Sequence, residues 1–118
     1  FAGLSTELLL KIAPNGAGAK FAKAYKKTYG ADPVGSYPIY AVSAVQVILA
    51  AIARSDGTRK GVTKAIFSGK GITIPAGRSV LGKAVRINPK TGDTTAKDVT
   101  IEIVKDNQEV TVQAWTVK

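Results

Sequence analysis

The sequence predicts a small α/β protein with about three helices, short strands and a C-terminal β-hairpin. Apolar residues recur at helical spacing in three segments of the first 68 residues. Val and Ile then alternate with polar residues in two later runs, 99–105 and 109–117, which flank a polar turn. A hydrophobic fraction of 45% with 21% charged residues is typical of a folded globular chain.

The segment 18–29 has the clearest helical pattern. Its aromatic residues Phe21, Tyr25 and Tyr29 recur every four positions, and lysines occupy the remaining faces. Gly30 follows where a left-handed C-terminal cap is expected, so we expect the helix to end there.

Two further helices are predicted before the main strands begin. The segment 37–53 is apolar except at two positions, which predicts a helix buried on nearly all sides. Its 17 residues are short for a membrane span, which needs about 20. The segment 58–68 predicts a third helix, with Thr58 or Asp56 as its N-cap.

Two short strands are predicted at 72–74 and 84–87. Between them, the stretch from Gly77 to Ala84 approaches the spacing of a phosphate-binding loop. Ala84 stands where that loop needs a Ser or Thr hydroxyl, and the stretch leads into a strand instead of a helix. We therefore predict no nucleotide site here.

The residue types exclude several classes of chemistry. The sequence has no His and no Cys, which excludes imidazole and thiol catalysis, disulfides, zinc fingers and iron–sulfur clusters. The eight Asp and Glu residues show no spacing that would bind a metal ion. We therefore predict no enzyme activity, no catalytic residue, no metal site and no cofactor.

Positive charge is concentrated in the middle of the chain, whose overall net charge is +9. Residues 54–90 contain a single acidic residue, Asp56, and nine basic residues that we call the basic block. The block indicates either a solvated surface or an anionic partner such as nucleic acid, a membrane or a transporter face. Nucleic-acid sites interleave aromatic and basic residues, and only Phe67 lies inside the block, so nucleic acid is not expected. The nine residues are Arg54, Arg59, Lys60, Lys64, Lys70, Arg78, Lys83, Arg86 and Lys90.

Four segments occur in an order that resembles one protein family. Residues 21–33 are similar to the pattern F-x-x-x-Y-x-x-x-Y/F-G-x-x-P, and residues 42–52 to Y-D-A-V-x-x-L-x-x-A-I. Residues 80–93 are similar to x-x-G-x-V/I-x-F-D-x-x-G-D, and the closing hairpin to v-x-I-x-x-V-x-D-G-x. Together they resemble the branched-chain amino-acid-type periplasmic binding proteins, which are the extracytoplasmic solute receptors of ABC importers.

The resemblance covers essentially the whole chain, with two departures. Val42-Ser43 stands where the family has Tyr-Asp, and Ile87-Asn88 where it has Phe-Asp. The resemblance implies the C-terminal portion of a two-lobe periplasmic-binding-protein fold.

The resemblance also implies how the chain is divided between the lobes. Residues 1–35 would be a second-lobe segment ending in a hinge, 36–96 a first-lobe segment ending in a hinge, and 97–118 the C-terminal strands returning to the second lobe. Gly, Pro and Thr in the two crossing segments are compatible with backbone rotation. The hinge residues would be Asp32, Pro33, Gly35, Asp93 and Thr95.

The function implied by the resemblance is binding of a small amino-acid-like ligand between the lobes and its delivery to a membrane permease. The protein would work in the periplasm, or outside the cell on a membrane anchor. Tyr37 would contact the ligand, with packing at the start of its helix as the alternative. The partner-facing basic patch would be Arg59, Lys60 and Lys64.

The residues also support an alternative function and a prediction about assembly. A small basic α/β module that binds nucleic acid or an acidic protein is the alternative function. In either case, the apolar segment 37–53 would expose one face unless the rest of a receptor or a second copy covers it. For the chain alone, we expect a homodimer or an assembly with swapped elements.

Overall fold

Local sequence signals determine where the helices begin and end. The computed structural model describes residues 2–116, and within them the chain forms four helices and two small antiparallel sheets. The helices are α1 (Thr6–Ile12), α2 (Ala17–Tyr29), α3 (Tyr37–Ile52) and α4 (Arg59–Phe67).

The caps explain three of these boundaries. The Ser5 side chain accepts a hydrogen bond from the backbone N–H of Leu8 and begins α1. Gly30 adopts the left-handed conformation (φ 75°) that ends α2, as the sequence predicts. Thr58, one of the two predicted N-caps, begins α4 by accepting a hydrogen bond from the backbone N–H of Gly61.

The strands form the two sheets. β1 (Ala2–Gly3), β4 (Asp98–Lys105) and β5 (Gln108–Thr116) form a three-stranded sheet in the order β1-β4-β5. β2 (Thr73–Ile74) and β3 (Val85–Arg86) form the second sheet. All pairs are antiparallel, and a bulge interrupts the β4–β5 register after Ile101.

A tight turn closes the predicted hairpin. Asp106 and Asn107 both have positive φ, at 52° and 59°, as a type I′ turn requires. The hairpin runs from Asp98 to Thr116, which confirms the two alternating segments of the sequence. The last residue of the second predicted segment, Val117, lies outside the described residues.

The predicted mixed α/β class is confirmed, but the predicted number of helices is too low. The sequence predicts about three helices, whereas the described chain has a fourth, α1, at its start. This helix has only seven residues and depends on the Ser5 cap and on Leu9, which is buried in the core. It is too short for its apolar residues to produce a helical repeat that the sequence alone reveals.

The second difference is the burial of α3. Its buried face is formed by Ile39, Ser43, Val47 and Ala51, while the opposite face is exposed. Val45, Ile48, Leu49 and Ile52 form this exposed surface, which we call the α3 outer face. Burial on nearly all sides is therefore wrong for the described chain, in which the residues of the α3 outer face are between 43% and 59% exposed.

Candidate functional site

Tyr37, the predicted ligand contact, is the first residue of α3 and is 88% exposed. The neighbouring aromatic Tyr40 behaves differently, because its hydroxyl accepts a hydrogen bond from the Leu4 backbone N–H at 3.2 Å. Tyr40 therefore packs at the start of the helix, whereas the ring of Tyr37 faces solvent and is accessible to a ligand.

The first predicted hinge is held by α1. Gly35 has a φ of 73°, and its carbonyl accepts hydrogen bonds from the backbone N–H and the hydroxyl of Thr6, at 2.9 and 2.7 Å. The Gly35 N–H donates to Glu7 Oε1 at 3.0 Å. Pro33 is buried, and Asp32 forms an exposed ion pair with Lys26 at 2.8 Å. This segment is thus anchored to α1 and has one glycine in a left-handed conformation.

The second predicted hinge is tied to β3. The backbone N–H of Thr95 donates to the Arg86 carbonyl at 2.9 Å, and the Thr95 hydroxyl accepts from the Arg86 N–H at 3.0 Å. The Asp93 carbonyl accepts from the Asn88 N–H at 2.8 Å. Within the described chain, these hydrogen bonds to β3 end at Thr95, and β4 begins three residues later at Asp98.

The predicted basic patch lies on α4. Arg59 and Lys60 are exposed in its first turn and Lys64 in its last turn. Because the N-terminal end of a helix carries partial positive charge, two cations there oppose the helix dipole. Asp56 partly compensates: its Oδ1 accepts from the Thr58 hydroxyl at 2.7 Å and the Thr58 N–H at 3.0 Å, and these hydrogen bonds lower the pKa of Asp56.

A small apolar pocket of about 160 Å³ lies beside the buried face of α3. It is bordered by the helix on one side and by β3 and the segment around Leu81 and Ala96 on the other. Ala44, which is exposed, joins this pocket to the solvent-facing side of the helix. An apolar side chain from a covering surface would fit here.

The hairpin exposes a second apolar surface. Val99 pairs with Trp115, and Ile103 pairs with Val110, so these side chains lie on one face of the β4–β5 ladder. Ile103 and Trp115 are more than half exposed. We call this surface the hairpin apolar face, and it consists of Val99, Ile101, Ile103, Val110 and Trp115.

A larger, half-open groove lies between the end of α3 and β2. It has a volume of about 400 Å³ and carries two arginines of the basic block, Arg54 and Arg78. Both arginines belong to the basic block, and no local pattern in the sequence sets them apart from its other seven residues. Gln46 of α3 holds the backbone at Arg78 and Val80 next to the helix.

Within the part of the chain that the structure describes, no group of His, Cys, Asp or Glu residues could hold a metal ion. None of the described helices has both the length and the apolar character that a bilayer crossing requires. Comparison with protein-family models, with curated proteins and with solved structures finds no match to this chain.

Proposed function

We propose that this chain is the C-terminal portion of an extracytoplasmic solute-binding protein that delivers an amino-acid-like ligand to an ABC importer. The observation that carries the proposal is the uncovered α3 outer face. A helix with no charged residue and an exposed aliphatic face is expected to be covered by another part of a larger fold.

The sheet pairing supports a division into two lobes. β1 pairs with β4, which brings the beginning of the chain to its closing hairpin. The intervening residues carry α1 to α4, β2 and β3. Of these, α3 contacts α4 and β2, β2 pairs with β3, and Leu9 of α1 shares a core with Ile39 and Val80. A chain that leaves one unit, builds part of another and then returns is what two interleaved lobes require.

Tyr37 fits a role at the opening between two such lobes. It follows directly after the anchored segment at Gly35, and its ring faces solvent. A ligand that contacts both lobes only when they are closed shifts the population towards the closed state. The closed receptor would then present its ligand to the permease, with Arg59, Lys60 and Lys64 facing an acidic membrane-side partner.

The proposal is tested on the full-length polypeptide that contains this chain. Calorimetric titration with aliphatic amino acids should give saturable binding. Tyr37→Ala should weaken it about tenfold, because the apolar contact between the tyrosine ring and an aliphatic side chain contributes on the order of 1 kcal/mol or more. Tyr29→Ala is the matched control, since Tyr29 is also exposed but lies on α2, and it should leave affinity unchanged.

Two results would contradict the proposal. One is the absence of binding to any amino acid or similar small solute. The other is steeply salt-dependent binding to oligonucleotides or to an acidic protein, which would favour the alternative of a small basic α/β module.

A further inference from the structure

The groove at the end of α3 has the composition of a ligand site. Such sites typically have volumes of about 300–1,000 Å³ and apolar walls with a few convergent polar groups. This groove has about 400 Å³. Its lining has four aliphatic and four polar residues, two of which are arginines. The aliphatic residues are Leu49, Ala50, Ala53 and Ile74, and the polar residues are Arg54, Arg78, Thr73 and Gln46.

Neither guanidinium is neutralised by the described part of the chain. The ion pairs there join Lys26 with Asp32 and Lys83 with Asp98. Arg54 donates one N–H to the Gly71 carbonyl at 3.3 Å, which leaves four of its five donors. Both arginines are therefore able to bind an added anion.

The groove is held in shape by Gln46. Its side-chain Nε2 donates to the Arg78 carbonyl at 2.7 Å, and its Oε1 accepts from the Val80 N–H at 3.1 Å. This amide fixes the backbone that carries Arg78 against the helix that precedes Arg54. The backbone segments that carry the two arginines are thus held together, so the groove is formed before a ligand binds, which lowers the entropy cost of binding.

A third arginine lies at the edge of this surface. Arg86 of β3 is directly opposite Thr73 of β2, so their side chains project from the same face of the small sheet. Both residues are exposed. The positive potential at the groove is thus reinforced from the β3 side.

We propose that this groove binds a small organic anion: a carboxylate or phosphate group on an aliphatic body. The planar guanidinium matches the oxygens of either group with paired hydrogen bonds. The aliphatic body would cover Leu49 and Ile74. This site is separate from the opening beside Tyr37, and the inference does not depend on the function proposed above.

The test uses the 118-residue chain and four probes at low ionic strength: hexyl phosphate, hexanoate, inorganic phosphate and hexan-1-ol. Amide NMR signals of the Gln46 side chain and the Thr73 backbone report on the groove. We expect saturable shifts with hexyl phosphate and hexanoate. Inorganic phosphate should bind about tenfold more weakly, because it buries no apolar surface, and hexanol should not bind.

Matched variants distinguish binding of the anion in the groove from its general attraction to a positively charged chain. The double variant Arg54→Gln/Arg78→Gln should weaken hexyl phosphate binding about tenfold or more, through loss of charge-assisted hydrogen bonds. Lys23→Gln/Lys27→Gln also removes two positive charges, but from the exposed surface of α2. This control should change affinity less than about twofold, since distant exposed charges are screened.

Vesicles distinguish the source of the anion. Arginine-dependent binding to phosphatidylglycerol vesicles, but not to phosphatidylcholine vesicles, would identify a lipid headgroup. Binding of the hexyl probes without vesicle binding would identify a free organic anion. The inference is wrong if the groove signals do not respond to either hexyl anion, or if the lysine variant weakens binding as much as the arginine variant.

Discussion

Single residues determine how α4 begins, and Asp56 is the one whose ionisation matters. Its carboxylate accepts two hydrogen bonds from Thr58, which is itself the N-cap of the helix. These bonds lower the pKa of Asp56 in the folded chain, so folding favours the charged form.

The first prediction concerns the pH dependence of this contact. A lowered folded pKa gives a contribution to stability that is complete above the ordinary Asp value of about 3.9 and is lost as the pH falls through the lower folded value. Asp56→Asn should therefore flatten the dependence of the melting temperature on pH between about 5 and 2. Equal slopes for Asp56→Asn and the wild-type chain would contradict this role of the Asp56 carboxylate.

A second residue-scale prediction concerns Gly18, where α2 passes close to the segment around Val80. A Cβ atom there would overlap the Val80 carbonyl oxygen and lie 2.8 Å from Leu9 Cδ2. Gly18→Ala should destabilise the chain by about 1–3 kcal/mol in urea unfolding, because backbone must move. Gly77→Ala, where a Cβ meets open space, is the control, and equal stability of the two variants would contradict the close approach.

At the scale of the element, the first turn of α4 carries charges that oppose the stability of the helix. Arg59 and Lys60 lie at its N-terminal end, where cations oppose the helix dipole. A surface kept at the expense of helix stability is expected to serve contact with a partner, which under the proposed function is the permease.

Charge reversal separates the effect of Arg59 and Lys60 on helix stability from their role in partner contact. Arg59→Glu/Lys60→Glu should stabilise the chain by about 0.3–1 kcal/mol per site at low salt, and should abolish transport by the full-length receptor without changing ligand affinity. Lys64→Glu, the same reversal in the last turn of α4, should have the opposite effect on stability. Transport at the wild-type rate by the more stable double variant would contradict the partner role.

The elements that could be predicted are those with local signals. The sequence predicts α2, α3 and α4 to within one or two residues because aromatic spacing, Gly30 and Thr58 define them locally. The hairpin follows from alternation alone. The pairing of β1 with β4 could not be predicted, because each contributes only two residues to it and they lie far apart in the chain.

The same distinction between local signals and long-range contacts applies to the candidate sites. The basic block can be read from composition, and the helical pattern of residues 58–68 places Lys60 and Lys64 on the outward face. The position of Arg78 beside the end of α3 depends on a hydrogen bond from Gln46 to a loop more than 30 positions away. No local pattern encodes that contact.

At the scale of the whole molecule, two apolar surfaces lack a covering layer in the described chain. The α3 outer face and the hairpin apolar face are each formed by four or five aliphatic or aromatic residues that are largely exposed. Exposed apolar patches of this kind are typical of interaction surfaces. Within a receptor they would be covered by the remainder of the fold.

For the chain alone, we predict self-association. Native mass spectrometry at micromolar concentration should show multiples of 12.3 kDa, and Ile48→Ser/Ile52→Ser should shift the population towards the monomer. Val104→Ser is the control, because Val104 is 76% exposed but lies on the other face of the hairpin. A wild-type chain that remains a protease-resistant monomer at all concentrations would contradict this prediction.

The contact between Ser5 and Thr100 also determines the order in which the chain folds. The Ser5 N–H donates to the Thr100 hydroxyl across 95 positions of sequence. Closing a loop of that length costs entropy before any contact forms, so the helices and the hairpin form earlier than the β1–β4 ladder. During synthesis, β1 emerges from the ribosome well before β4, so it remains an unpaired edge until the residues around Thr100 have been made.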